Sequence, residues 1–308
     1  MVPSEEKWLY EYGNALFQKE FDIKDIVNII TPNFPDKLFK YGFFDNERKW
    51  ENIIYKGIFK ISSPFYFNDP FDCELSLTSK IMNIDGAKEY VIKYLRERLK
   101  IKQYDINRIK YSMNLKKDID IVFSHYGLNL DIPKYEKGLN EALQQSNEKF
   151  KKSLGITCFS EDNKSILMWS HYAHYHSGYC IMFKFPEKSS IRESIYPVAY
   201  RNERLDFGSQ IFGNEKYWIF KAVLLKSWQW DYEKEWRFLS IKIDDDLINN
   251  EMIPEIDLSS YIKGIYLGAK IDNQIEAEIC SYGKIKNLPI YKMQLSDRTY
   301  ELFSTQIV

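Results

Sequence analysis

Apolar and polar positions alternate at strand spacing at both ends of the chain and recur at helical spacing in its middle. Residues 4–20, SEEKWLYEYGNALFQKE, begin with Ser4 as an N-cap and Glu in the first turn, which predicts an N-terminal helix packed as a cover. Pro32 and Pro35 break the chain before DKLFKYGFF, a short aromatic strand, and NERKWENIIYKG, a helix stopped by Gly57 at its C′ position. Alternation over Ile58 to Ile61 predicts a strand, ended by Ser62, Ser63 and Pro64. From about Asp85 to Lys152, Lys, Glu, Asn and Ile at helical spacing predict a helical insertion or lid with solvated charged faces. Strands return from Gly155 as GITCFS, YCIMFKF, IYPVAY, EWRFLSIKI, IKGIYLGAK and LPIYKMQLS, with helices around 164–175 and 271–281. No regular βαβ alternation and no repeat is present, so the pattern predicts an α+β fold. The expected organisation is a helical cover over residues 1–30 and one domain over 31–308, with the insertion at about 83–152.

Composition narrows this picture by exclusion. A chain of 308 residues can bury a sizeable core. Lys plus Arg (43) nearly cancel Asp plus Glu (44), so no general polyanion-binding surface is advertised. The start lacks a signal-peptide pattern and no apolar run approaches the roughly 20 residues that span a bilayer, which predicts a cytosolic protein with no membrane partner. Cys73, Cys158, Cys180 and Cys280 are scattered without a CxxC pair, which suggests neither a zinc knuckle nor a redox motif, and Cys158 and Cys180, inside apolar strands, read as buried, reduced thiols. The common dinucleotide, P-loop, zincin and hydrolase signatures are absent.

Three stretches carry candidate chemistry. In KSILMWSHYAHY, read as a helix, Ile166, Trp169 and Ala173 share one face and Leu167, His171 and His174 another. Trp169 reads as core, and His171 with Tyr172 as either structural or substrate-binding. His171 and His174 are spaced to share a metal, but no third ligand stands at a suitable spacing, so no metal is expected. Gly178 ends this segment before YCIMFKF begins. In KSWQWDYEKEWRFLSIKI, Glu233 and Glu235 at i and i+2 face the same way if they enter a strand. One such carboxylate can stabilise an oxocarbenium-like centre or hold a ribose hydroxyl while the other orients or deprotonates an acceptor. The alternative is a structural pair of Glu235 with Arg237 or Lys40. In SSPFYFNDPFDCE, Asn68 and Asp69 before Pro70 are turn formers.

Together LFKY, SSPFYFNDPFD, CFSEDNKSILMWSHYAHYHSGYCIMF, VAY, YEKEWRF and IYLG resemble a bacterial family known as domain of unknown function 2971, many of whose members sit among abortive-infection and phage-defence genes. The order LFKY, ENIIYKG, IFKISS also resembles the opening of ADP-ribosyltransferase-type folds. That resemblance implies a split, curved, mostly antiparallel sheet, NAD as co-substrate, and a nucleic-acid or protein acceptor. It implies Glu235 with Glu233 as catalytic residues, Lys40 or Tyr41 at the first-strand position, and Ser62 or Tyr172 further on. No His or Arg stands at that first-strand position, which departs from the pattern. Asn68, Asp69, Trp169, His171, Tyr172 and Arg237 complete the expected binding set.

The expected function is therefore a phage-defence effector or toxin that cleaves the glycosidic bond of NAD. Two other readings stand beside it. One is a non-enzymatic ligand sensor or antitoxin-like module, working with a defence-system partner protein. The other is a metal-dependent nuclease using Asp69, Asp72, Glu233 and Glu235.

Overall fold

The computed structural model describes residues 7–18, 22–76, 88, 92–93, 95–97, 100–127, 141, 144–145, 147–205, 207, 217–240 and 255–308. Its helices are α1 (Lys7–Phe17), α2 (Ile23–Ile30), α3 (Trp50–Lys56), α4 (Gln103–Lys110), α5 (Leu115–His125), α6 (Ile166–Tyr172), α7 (Trp218–Leu224) and α8 (Asn273–Lys286). The strands are β1 (Leu38–Gly42), β2 (Ile58–Lys60), β3 (Gly155–Ser160), β4 (Tyr179–Phe183), β5 (Ile195–Pro197), β6 (Ala199–Arg201), β7 (Leu225–Ser227), β8 (Glu235–Ser240), β9 (Glu255–Asp257), β10 (Ile262–Leu267), β11 (Ile290–Leu295) and β12 (Leu302–Gln306). The fold is mixed α+β around one large, mostly antiparallel sheet.

Eight strands form that sheet in the order β12-β11-β10-β4-β1-β3-β8-β5, and only the β10–β11 pair is parallel. The sheet is apolar on both faces at its centre. Along β4, Tyr179, Ile181 and Phe183 enter the main core, while Cys180 and Met182 enter a second cluster with Trp169, Phe39 and Tyr266. This explains why YCIMF reads as a continuous apolar run rather than an alternation. Two-stranded ribbons, β2 with β9 and β6 with β7, flank the main sheet.

The sheet is thinnest between β1 and β3. Strand β1 pairs with β4 over five residues but with β3 only at Phe39 and Ser160. Strand β3 in turn pairs with β8 over its whole length, from Gly155 with Ser240 to Ser160 with Glu235. Where β1 leaves, Ser62 takes its place beside β3: its N–H donates to the Ile156 carbonyl at 3.0 Å and its carbonyl accepts from the Ile156 N–H at 2.9 Å. The expected split sheet is thus one continuous sheet that opens as a wedge at a single joint.

Several sequence expectations change at their edges. Ser4 and the start of the predicted cover helix lie outside the described residues. The predicted helix over 164–175 ends at Tyr172, because His174, Tyr175 and His176 adopt left-handed backbone with φ of 46°, 55° and 71°. Ile166, at the first position of the helix, is exposed, whereas Trp169 and Ala173 on the same predicted face are buried. The run IYPVAY is divided: β5 joins the main sheet and β6 joins a ribbon. Within the predicted insertion, α4 and α5 enclose an apolar cluster of their own that includes Ile106, Ile109, Leu115, Ile119 and Val122. Among the described residues no helix is long and apolar enough to cross a membrane.

Gly57 ends α3 with φ of 69°, and a Cβ there would fall 2.4 Å from the Ser259 Cα. Gly57→Ala therefore meets both a left-handed penalty and a backbone clash. A loss of about 1–3 kcal/mol in urea denaturation is expected.

Candidate functional site

The wedge between β1 and β3 holds a cavity of about 210 Å³. Five separate segments wall it: Lys40 and Tyr41 from β1, Ser62 and Asn68 from the turn after β2, Cys158 and Ser160 from β3, Tyr172 from α6, and Lys226, Glu233 and Glu235 from the β7–β8 region. Lys40 reaches across the opening, and its Nζ donates to the Cys158 carbonyl at 3.0 Å. That bond replaces a ladder hydrogen bond which the diverging backbones do not make. Tyr41 crosses the same gap, its hydroxyl donating to the Asp162 carbonyl at 2.6 Å.

At the base of the cavity lies a buried ionic network. Strand β8 begins at Glu235, whose N–H donates to the Tyr200 hydroxyl at 2.8 Å. Before it, a 3₁₀ turn over Trp228–Glu233 ends in Lys234 with left-handed φ of 42°, and Ser160 Oγ donates to the Glu233 carbonyl at 2.6 Å. Glu233 is therefore not part of the strand, contrary to the expectation that both glutamates project from one. The left-handed turn brings the two carboxylates together by another route, since both bind the ammonium of Lys226. Lys226 Nζ donates to Glu233 Oε2 and, at 3.0 Å, to Glu235 Oε2, and lies 3.5 Å from Asp72 Oδ2.

Arg237 closes the network from below. Its Nε and Nη2 each donate to Glu235 at 2.9 Å, Nη1 and Nη2 donate to the two Asp72 oxygens at 2.9 and 2.6 Å, and Nη1 also donates to the Val223 carbonyl at 2.7 Å. All five guanidinium N–H groups are thereby used. Arg237 is 0% exposed and does not reach the cavity. It is an anchor behind the wall rather than a group offered to a ligand, which corrects its place in the expected binding set.

The two glutamates are unlike in charge. Arg237 and Lys226 outweigh the effect of burial and hold Glu235 well below the usual carboxylate range. Burial, with the Glu235 charge beside it, pushes Glu233 up against the pull of Lys226. Tyr172 donates to Glu233 Oε1 at 2.6 Å and itself accepts from Asn68 Nδ2 at 3.3 Å, so the glutamate is linked to the cavity mouth by a chain of two hydrogen bonds. Burial alone lowers Lys226, but the surrounding carboxylates of Glu235, Asp72 and Glu233 raise it above its ordinary value. Lys40, which has no such neighbour in contact, is lowered by burial.

These opposite shifts give opposite pH signatures. A raised Glu233 favours the folded state below its ordinary value of 4.5, and that contribution is lost as pH rises through its folded value. A lowered Glu235 contributes above 4.5 and loses its contribution as pH falls. In melting curves from pH 4 to 8, the stability of the protein relative to Glu233→Gln is expected to decline as pH rises. A flat difference would show that Glu233 is not raised.

Besides Arg237, three of the expected site residues do not line this cavity. His171 is exposed, lies tilted at 36° to the Tyr232 ring with 6.4 Å between ring centroids, and does not line the cavity. His171 shares its helix face with Leu167, four residues before it, which is exposed too, while Tyr172 on the adjacent face lines the cavity. Trp169 is buried in the cluster on the other side, its Nε1 donating to the Asn163 carbonyl at 2.8 Å. Asp69 borders a different cavity. Lys226 was not singled out by the sequence, although a lysine between the apolar run AVLL and SWQW needs a buried partner or a path to water. Among the described residues no three His, Cys, Asp or Glu side chains are grouped as a metal's ligands. The three carboxylates of Asp72, Glu233 and Glu235 already surround the Lys226 ammonium, which stands where a shared cation would have to stand.

Comparison with known proteins adds one relation. No curated protein and no solved structure matches the chain. A family model described as "Protein of unknown function (DUF2971)" matches residues 168–238, a span that carries Tyr172, Lys226, Glu233, Glu235 and Arg237 and so supports a relation to that family through the cavity's ionic base.

Proposed function

We propose that the wedge cavity receives the glycosidic end of a nucleotide and that the protein cleaves the nicotinamide–ribose bond of NAD, passing the ADP-ribosyl group to an acceptor in nucleic acid or protein. The observation that carries this reading is the convergence of Lys40, Tyr41, Ser62, Asn68, Tyr172, Glu233 and Glu235 from distant parts of the chain on one small cavity. A volume of about 210 Å³ lies below the roughly 300–1,000 Å³ of pockets that enclose whole ligands, so it suits one ring and its sugar with the remainder outside. The aromatic walls, Phe39, Tyr41, Phe67 and Tyr172, suit a flat leaving ring.

The roles follow from the charges. Glu235, kept ionised, supplies fixed negative potential to an oxocarbenium-like centre at the ribose C1′. The C1′–N bond breaks with its electron pair going to the neutral nicotinamide, and the acceptor's heteroatom bonds to C1′ as its proton passes to the Glu233 carboxylate. Tyr172 and Asn68 orient Glu233 at the mouth. The resemblance of its motifs to a family with members among defence genes supports reading such a reaction as that of an antiviral effector or toxin.

One observation favours a second reading, a ligand-binding module without turnover. Every carboxylate oxygen of Glu233 and Glu235 already accepts a protein donor. Incubation with NAD labelled in its nicotinamide ring, with and without single-stranded nucleic acid, separates the two. Release of labelled nicotinamide is expected; NAD bound intact over hours would leave the binding reading and remove the catalytic one.

A further inference from the structure

The two edges of the eight-stranded sheet are built differently. At one edge β5 is three residues long and ends in Pro197, whose carbonyl accepts the Tyr12 hydroxyl of α1 at 2.7 Å. A short, covered strand that bears a proline is a common protection against unwanted pairing. At the other edge β12, LFSTQ, is five residues long and carries neither a proline nor a charged side chain, and the same holds through Ile307 and Val308. Among the described residues no strand pairs with its outer side.

The register fixes which backbone groups face outward. The Ser296 N–H donates to the Glu301 carbonyl at 3.0 Å, and the Ile307 N–H donates to the Ile290 carbonyl at 2.8 Å. Bonded and non-bonded positions alternate in an antiparallel pair, so Glu301, Phe303, Thr305 and Ile307 turn their backbone groups towards β11. Leu302, Ser304 and Gln306 turn theirs away from it. Side chains alternate as well: Phe303 and Ile307 share the face on which α8 packs over Ile290, and they stay 45% and 39% exposed.

We propose that β12 pairs with β12 of a second copy of this chain, antiparallel about a two-fold axis at Ser304, so that two protomers share one continuous sheet. Ser304 then faces the partner's Ser304 and Leu302 faces the partner's Gln306, and each outward N–H meets a carbonyl across the axis. On the α8 face Phe303 stands opposite the partner's Thr305, with the partner's Phe303 and the partner's Ile307 as diagonal neighbours within reach of an aromatic ring. The exposed apolar side chains of that face thus cover one another. No charged side chains are opposed along the strand, because β12 has none. This reciprocal fit, required of a two-fold interface, selects a second copy over an unrelated strand. The edge lies four strands from β1, so the wedge cavity stays open in both protomers and the pairing stands whether or not NAD is cleaved.

Sedimentation equilibrium of the full chain over a range of concentrations tests this, with the mass of a dimer expected at the upper end. Ser304→Pro removes an outward N–H and leaves the bonds to β11 in place. It is expected to raise the dimer dissociation constant at least about 10-fold with little change in the melting curve. Phe303→Lys sets two ammonium groups across the axis and is expected to weaken the dimer likewise. Ser304→Cys is expected to give a disulfide-linked dimer under mild oxidation, because opposed Cα atoms of a bonded pair lie about 5.5 Å apart. Ser281→Cys, exposed on α8, is expected to give none. A monomer at every concentration, a dimer of unchanged affinity in Ser304→Pro and Phe303→Lys, or equal cross-linking at positions 281 and 304 would overturn the proposal.

Discussion

Replacing Arg237 by methionine is expected to cost about 3–5 kcal/mol of folding stability, the largest effect of any single change near the site. The side chain is fully buried and its five donors are divided among Asp72, Glu235 and the Val223 carbonyl. Removing it leaves two carboxylates in the interior with Lys226 as their one remaining cationic contact. The net worth of the intact network is a different and smaller quantity, because taking these charges out of water is itself costly. Hence Arg237→Met combined with Asp72→Asn and Glu235→Gln is expected to recover part of the loss. Urea denaturation of the single and triple variants checks both statements. An Arg237→Met midpoint equal to the wild type would mean that the guanidinium does not hold these carboxylates.

The second large effect concerns activity. Glu233→Gln is expected to reduce nicotinamide release from NAD about 10²- to 10⁴-fold, the usual contribution of a positioned acid or base. The change keeps the side chain's shape and an acceptor for Lys226, reverses the bond with Tyr172 so that the amide donates to the hydroxyl, and removes an interior charge that burial disfavours. Stability at neutral pH should therefore be little reduced. Glu235→Gln contrasts with this: its partner Arg237 loses an ionic acceptor, so the loss there is expected to be mainly of folded protein. This difference between neighbouring glutamates is invisible in the spacing Glu-x-Glu. It arises because Arg237 grips one carboxylate with two donors and does not touch the other.

What the sequence disclosed, it disclosed where local rules are strict. Gly57 had to be left-handed at a helix end, YCIMF had to be buried on both faces, and EWRF had to open a strand. The convergence of NDPFD, Tyr172 and the glutamates on one place could be suspected only from motif types, since no spacing rule spans about 100 residues. Three features escaped for identifiable reasons. His171 was offered as structural or substrate-binding from its residue type beside Tyr172, whereas it shares its helix face with Leu167, which is exposed. Lys226 opened the stretch KSWQWDYEKEWRF without being singled out, because one of its partners, Asp72, lies far away in the chain and the other two, Glu233 and Glu235, come to it only through the turn before β8. Asn68 and Asp69 were grouped as one turn, yet they serve opposite sides of a chain segment that separates two cavities.

The sheet's single-pair joint between β1 and β3 ties these facts to function. A fully paired sheet would place Lys40 and Tyr41 against β3 with no space between. Because the strands separate after Phe39 and Ser160, polar side chains from both can face an interior that other segments line with charge. The cavity is thus a consequence of topology, and its chemistry is a consequence of which residues flank the joint.

The most direct measurement is single-turnover release of labelled nicotinamide by purified wild-type and Glu233→Gln protein, both shown to be folded by their melting curves. Release by the wild type with a fall of at least about 100-fold in the variant is the expected result. Equal release by both proteins would remove Glu233 from the chemistry, and no release by either would contradict cleavage at this cavity.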